Sequence, residues 1–122
     1  MQVIGSKVTV YDLAWTAATV PLRTFTPQDV SMLDDFTLTA DLQHIIGADF
    51  KEGKIVKFSL QDGSEPAVEI MADGLVSTTS ARLGCGMDGA AGVGFPSTAV
   101  FVTEGGGVTR LGNDRRVLKI DL

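Results

Sequence analysis

Turn-forming residues divide most of this chain into short segments of similar length. Asp-Gly pairs stand at Asp62-Gly63 and Asp73-Gly74, and further glycine-rich turns follow at 105–107 and 112–114. Glycine, asparagine and aspartate readily adopt the backbone angles of tight turns. Turns that recur about every eight to twelve residues are typical of β-sandwiches and small barrels. The spacing predicts one all-β domain over residues 1–122, a jelly-roll-like sandwich or small barrel of about eight short strands.

Several of these segments also alternate between apolar and polar residues. In residues 54–60, Val56, Phe58 and Leu60 share one parity, while Lys57 has the other. Because side chains alternate across a strand, this pattern predicts a strand with one buried face. The other predicted strands cover residues 3–11 (a strand pair, or one strand bent at Gly5-Ser6), 68–70, 75–83, 97–103, 108–111 and 116–122.

Residues 36–46 fit two different structures. Apolar residues alternate with polar ones from Phe36 onward, which predicts a half-buried strand. A helix could instead begin at Thr39 and end at Gly47. We favour the strand because the alternation begins before Thr39, but over residues 39–46 the sequence leaves both possibilities open.

One short helix is predicted near residues 27–33. Thr26 can cap a helix, Pro27 suits the first helical position, and Asp29 favours the positive end of the helix dipole. Val30 and Leu33 would then face the core.

A glycine-rich stretch at residues 84–94 contains the pattern Gly84-x-Gly86-x-x-Gly89. In dinucleotide-binding folds these glycines approach a pyrophosphate and open a helix that holds its charge. Here Gly92, Gly94 and Pro96 follow, and these residues are unfavourable inside a helix. We therefore predict a long glycine loop and no nucleotide or other cofactor.

Charge and composition narrow the classes of partner. The net charge is −5, which disfavours nucleic-acid binding because that depends on clustered lysine and arginine. The single cysteine precludes an internal disulfide. No basic leader with an apolar run opens the sequence, and glycine and small residues interrupt every apolar run. We therefore expect synthesis in the cytoplasm without a signal peptide, and no membrane partner.

Two residues could carry chemistry, His44 and Cys85. His44 is the only histidine, and by strand parity it points away from Asp41, its nearest candidate carboxylate. Cys85 would need a base to act as a nucleophile. With one cysteine and one histidine the chain lacks the ligands of a zinc site. We predict no catalytic and no metal site, and keep an unrecognised hydrolase using Cys85 or His44 as a less favoured alternative.

The distribution of charge points to assembly. Residues 29–65 are rich in acids and lysines and suggest a solvated face, whereas Arg82 and Asp88 are the only charged residues between 74 and 103. A neutral surface of small residues loses little on desolvation, as interfaces require. The candidate interface residues are Trp15, Gly84, Gly86, Gly89, Gly92, Val93, Gly94, Phe95 and Ala99.

The small size, acidity, β-content and Gly/Ala/Ser/Thr-rich faces resemble the small virion proteins of tailed bacteriophages, such as capsid decoration or cement proteins. This resemblance implies a non-enzymatic subunit of a symmetric homo-oligomer or virion shell, whose partners are further copies of the chain and a larger protein shell. In such a subunit the terminal strands and the glycine loop would contact neighbours. The alternative is a β-module for a small ligand or glycan, with Trp15 or Tyr11 as a stacking platform.

Overall fold

The computed structural model describes residues 2–11, 21–84, 98–105 and 116–122, and no residue in these ranges is helical. The described ranges contain ten strands: β1 (Gln2–Ile4), β2 (Lys7–Tyr11), β3 (Pro21–Phe25), β4 (Leu33–Leu38), β5 (His44–Asp49), β6 (Lys54–Ser59), β7 (Glu69–Ala72), β8 (Thr78–Leu83), β9 (Ala99–Glu104) and β10 (Arg116–Asp121). The all-β prediction is confirmed. The jelly-roll or barrel form stays a prediction.

The strands form three antiparallel sheets, and each sheet is a continuous piece of the chain. Sheet 1 has the order β1-β2-β3, sheet 2 the order β4-β5-β6-β7, and sheet 3 the order β10-β9-β8. Every pairing among these strands joins neighbours in sequence. The arrangement is sandwich-like, with three stacked meanders.

Most of the predicted strands are present with small shifts at their ends. The segments at 54–60, 75–83, 97–103 and 116–122 correspond to β6, β8, β9 and β10. Residues 3–11 form the hairpin β1–β2, which turns at Gly5 with a φ of 60°. The segment predicted at 68–70 is β7, which lies slightly later in the chain. The strand predicted at 108–111 lies outside the described residues.

Sheet 2 is the middle layer, and a separate core covers each of its faces. The first core joins it to sheet 1 and contains Val8, Phe25, Val30, Leu33, Ile45, Val56 and Phe58. The second core joins it to sheet 3 and contains Ile46, Ala48, Ile55, Ala81, Val100 and Val102. Successive residues of β5 and β6 enter opposite cores because side chains alternate across a strand.

The half-buried strand predicted at 54–60 is therefore buried on both faces. Ile55 and Val56 are neighbours in sequence, yet both are fully buried. Burial of a valine or isoleucine side chain stabilises the folded state by about 1.5–3 kcal/mol. β6 therefore stabilises the contacts of sheet 2 with both sheet 1 and sheet 3.

The helix predicted near residues 27–33 is wrong, because Asp49 takes the amides that such a helix would use. The Asp49 carboxylate is fully buried and accepts hydrogen bonds from the backbone N–H groups of Ser31 at 2.9 Å and Met32 at 3.1 Å. Asp29 has a φ of 55°, which a right-handed helix excludes. The segment is instead a connection with a turn at residues 28–29 that leads into β4.

The strand prediction for 36–46 is only half right, and the helix alternative is wrong. β4 ends at Leu38 and β5 begins at His44, with a tight turn between them. Leu42 has a φ of 59°, and the Asp41 carboxylate accepts hydrogen bonds from the Thr39 hydroxyl and the Gln43 N–H. The apolar alternation had run through the turn, where Leu42 is exposed.

Side chains rather than a backbone ladder join β8 of sheet 3 to β4 of sheet 2. Asp35 accepts a hydrogen bond from Ser80 at 2.9 Å and forms an ion pair with Arg82 at 3.2 Å. Arg82 also donates to the Phe36 carbonyl at 3.0 Å. The edges of the two sheets therefore face each other.

Candidate functional site

The outer edge of β10 is the first feature that suits a partner. The Leu122 N–H donates to the Thr98 carbonyl at 2.7 Å. The backbone N–H and C=O groups of Leu122 and of every second residue before it in β10 therefore point toward β9. In an antiparallel strand the next residue points the other way. Val117, Lys119 and Asp121 therefore direct their N–H and C=O groups away from β9, where no described strand pairs with them.

The other edges of the described sheets are shorter or irregular. β1 has three residues, and β7 has four with a register shift in its pairing. β3 begins with Pro21 and also has a register shift. Short strands, proline and bulges all hinder pairing with another chain. Among the described edges that no other sheet faces, β10 alone has six residues in continuous register.

An ion pair with a buried carboxylate anchors the start of β10 to β9. Arg116 donates to the Glu104 carboxylate at 2.5 Å, and only 1% of the Glu104 side chain is exposed. The Val76 N–H donates to the same carboxylate at 2.7 Å. The hydrogen bond from Arg116 lowers the pKa of Glu104, the one from Val76 adds to this, and burial opposes both.

The solvent face of β10 carries one apolar residue and a pair of opposite charges. Val117 is 70% exposed, the highest value among the large apolar residues of the described ranges. Lys119 and Asp121 form an ion pair at 3.0 Å, with both side chains mostly exposed. An exposed pair of this kind contributes about 0–1 kcal/mol to folding, so both charges remain available to a partner.

A polar cavity of about 180 Å³ is the second feature, and it lies at one end of sheet 2. His44 and Ser59 are direct cross-strand partners, as are Lys57 and Glu69. Directly opposed side chains lie on one face of a sheet. All four line the cavity, together with Phe58, Asp62 and Ala67.

Within the described ranges the ionisable side chains of this cavity make no hydrogen bonds. The side chains of His44, Lys57, Asp62 and Glu69 make no hydrogen bond or ion pair with other residues of those ranges. Cationic and anionic groups are present together, which suits a small molecule with both donors and acceptors. No cluster of histidine, cysteine and acidic residues in the described ranges has the arrangement of a metal site.

Few of the residues predicted to form an interface can be placed. Gly84 and Ala99 are buried and hydrogen-bonded to each other, with 3.0 Å between the Gly84 N and the Ala99 O. Their burial leaves neither residue exposed to a second copy. Trp15, Gly86, Gly89, Gly92, Val93, Gly94 and Phe95 lie outside the described residues, as does Cys85.

The low charge between residues 74 and 103 has an internal explanation where the structure describes it. Ala81, Val100 and Val102 belong to the second core, and Thr78 is buried with its hydroxyl donating to the Asp49 carbonyl at 3.0 Å. The predicted solvated face at 29–65 likewise contains the buried strands β5 and β6. In the described parts of residues 74–103, the low charge density therefore reflects burial between sheets.

The remaining predicted residues occupy separate places. Tyr11 is half-buried at the end of β2, and His44 lines the cavity. Asp41 does not hydrogen-bond to His44. The pKa of Asp41 is lowered mainly by the hydrogen bonds that its carboxylate accepts from Thr39 and Gln43, and His44 adds a smaller electrostatic contribution. The terminal strands were expected from the sequence to contact neighbours, but the outer edge of β10 was not identified. Its signal is the set of alternate residues Val117, Lys119 and Asp121.

Comparison with other proteins adds no functional assignment. In the described part of the chain no helix is long and apolar enough to span a bilayer. No model of a known protein family matches the sequence, and no curated protein does.

Proposed function

We propose that this chain is a non-enzymatic structural or assembly protein, a subunit of a symmetric homo-oligomer or of a larger virion shell of the capsid decoration or cement type. The observation that supports this most is the outer edge of β10. A regular six-residue edge presents a row of donors and acceptors that another strand can complete. The exposed Val117 adds apolar area to that edge.

The acidity of the chain fits this proposal. A net charge of −5 keeps copies soluble and favours protein partners over nucleic acid. We expect such a subunit to be made in the cytoplasm and, in a virion, to be built into the shell.

A size measurement tests the assembly function. Light scattering and native mass spectrometry of the chain at micromolar concentration should show a defined oligomer. A monodisperse monomer that also fails to bind a protein shell would contradict the proposal.

A small-ligand or glycan-binding module is the second candidate, and the polar cavity favours it. Hydroxyl-rich molecules match an open site with both donors and acceptors, such as the one that His44, Lys57 and Glu69 line. Titration with a panel of monosaccharides, followed by NMR shifts of the His44 and Ser59 amides, tests this candidate. The Lys57→Met variant should abolish any shift, whereas Lys51→Met in the exposed turn after β5 should preserve it.

A further inference from the structure

We propose that β10 pairs antiparallel with β10 of a second copy, in the register that sets Lys119 of each copy opposite Asp121 of the second copy. This inference rests on the proposed assembly function and names the partner and the register of the contact. It joins two three-stranded sheets into one continuous six-stranded sheet.

The direction of the backbone groups limits the possible registers. Among the residues of β10, only Val117, Lys119 and Asp121 present their N–H and C=O groups to the outer edge, so contact across a twofold axis pairs residues of this set with one another. Lys119 can then lie opposite Val117, Lys119 or Asp121 of the second copy.

Charge selects among these three registers. Lysine opposite lysine is repulsive, and lysine opposite valine leaves its charge without a partner on the facing strand. Lysine opposite aspartate gives an attractive pair, and the twofold symmetry produces that pair twice. The two side chains already lie on one face of the strand, where they form the exposed ion pair at 3.0 Å.

The same register also suits the opposite face of the strand. It places Leu118 opposite Leu122 of the second copy and Ile120 opposite Ile120 of the second copy. Leu118 and Ile120 pack against the second core, while Leu122 is 48% exposed in the single chain. Pairing therefore extends an apolar surface that already exists, and Leu122 becomes more buried.

Charge reversal of the edge provides the test. Lys119→Asp gives an edge with two acids, and Asp121→Lys an edge with two lysines, so each variant repels its own copies in the proposed register. We expect each to weaken self-association at least about tenfold in analytical ultracentrifugation. The double variant Lys119→Asp/Asp121→Lys restores both attractive pairs and should associate like the natural chain.

A mixture of the two single variants gives a second readout. The acidic edge matches the basic edge at both positions, so native mass spectrometry of the mixture should show one-to-one heterodimers where neither variant pairs with itself. Lys51→Asp is the control for Lys119→Asp, since Lys51 is exposed in the turn after β5 and the two substitutions change the charge equally. Circular dichroism of every variant verifies the fold.

Amide hydrogen exchange tests the contact without any substitution. The amides of Lys119 and Asp121 should exchange fast in dilute solution and become protected on association. Those of Leu118 and Ile120, which point toward β9, should be protected at both concentrations.

Each alternative outcome has a distinct meaning. If the natural chain forms oligomers that all three edge variants preserve, the β10 contact is wrong while the assembly function stands. If Asp121→Lys alone has no effect, the register is wrong. A natural chain that stays monomeric up to about 1 mM, with variants that do not pair in the mixture, overturns both the contact and self-assembly.

Discussion

Alanine substitutions at Gly53 and Gly74 separate the energetic cost of a left-handed backbone from the cost of steric overlap. Their φ angles are 64° and 65°, in the left-handed region that favours glycine. A Cβ atom on Gly53 would lie 2.0 Å from the Leu75 carbonyl oxygen, whereas one on Gly74 would meet no atom within 4 Å. Gly53 is further held by its N–H to the Asp49 carbonyl and its carbonyl to the Leu75 N–H, both at 2.9 Å.

These contacts set the expected cost of an alanine at each site. The left-handed conformation costs a non-glycine residue about 1–2 kcal/mol, which applies equally to both positions. At Gly53 the backbone of Leu75 must also move, and overpacking of this kind adds about 1–3 kcal/mol. We therefore expect Gly74→Ala to lose about 1 kcal/mol of unfolding free energy and Gly53→Ala about 3–4 kcal/mol.

Urea unfolding followed by circular dichroism gives both values, and thermal unfolding provides an independent measurement. For a chain of this size each kcal/mol corresponds to roughly 4 °C in Tm. Gly53→Ala should thus melt about 8–12 °C below Gly74→Ala. Equal losses for the two variants would refute the close approach of Leu75 to Gly53, and with it the junction between sheets 2 and 3.

Six further substitutions test other features of the fold and the proposal. Asp49→Ala removes the acceptor of three backbone amides, those of Ser31, Met32 and Glu52. We expect a loss of about 3 kcal/mol in urea unfolding, more than for Asp49→Asn, which keeps one acceptor oxygen. The pKa of Glu104 is lowered in the folded chain, so its ionised carboxylate stabilises the fold at pH values above the ordinary pKa of 4.5. This stabilisation is lost as the pH falls through the folded pKa. Glu104→Gln should therefore reduce the dependence of the unfolding free energy on pH in this acidic range. Ala99→Glu places a charge in the interior and should lower the unfolding free energy by on the order of several kcal/mol. Circular dichroism should therefore show unfolding before any change in assembly is measurable. His44→Gln and Cys85→Ser should leave fold and oligomer size intact, and loss of a measured activity in either variant would contradict the non-enzymatic function.

The strands were predictable because their signals are local. The Gly5 and Gly74 turns and the alternation in residues 54–60 depend on neighbours along the chain, and each corresponds to a turn or strand in the structure. The helix prediction failed because Thr26, Pro27 and Asp29 carry a local signal that a distant carboxylate overrides. Tertiary hydrogen bonds outweigh helix propensity in a segment this short.

The position of each sheet in the stack was not predictable from alternation. In β6, Lys57 and Ser59 produce the sequence pattern of a strand with one polar face, although the strand is buried on both faces. The candidate edge was equally hidden, because Val117 becomes conspicuous only when β10 is known to end its sheet. The order of the sheets in the stack depends on contacts between residues far apart in the sequence, and the periodicity of apolar residues does not report such contacts.

The three consecutive meanders have a consequence for synthesis on the ribosome. Each sheet can pair its own strands as soon as its segment emerges, because every ladder among the described strands joins sequence neighbours. Sheet 2 emerges before β8 and β9, so the face with Ile46, Ala48 and Ile55 waits uncovered until the carboxyl-terminal third of the chain is made. An uncovered apolar sheet invites association between nascent chains. Translation speed through the segment after β7 therefore bears directly on the yield of folded protein.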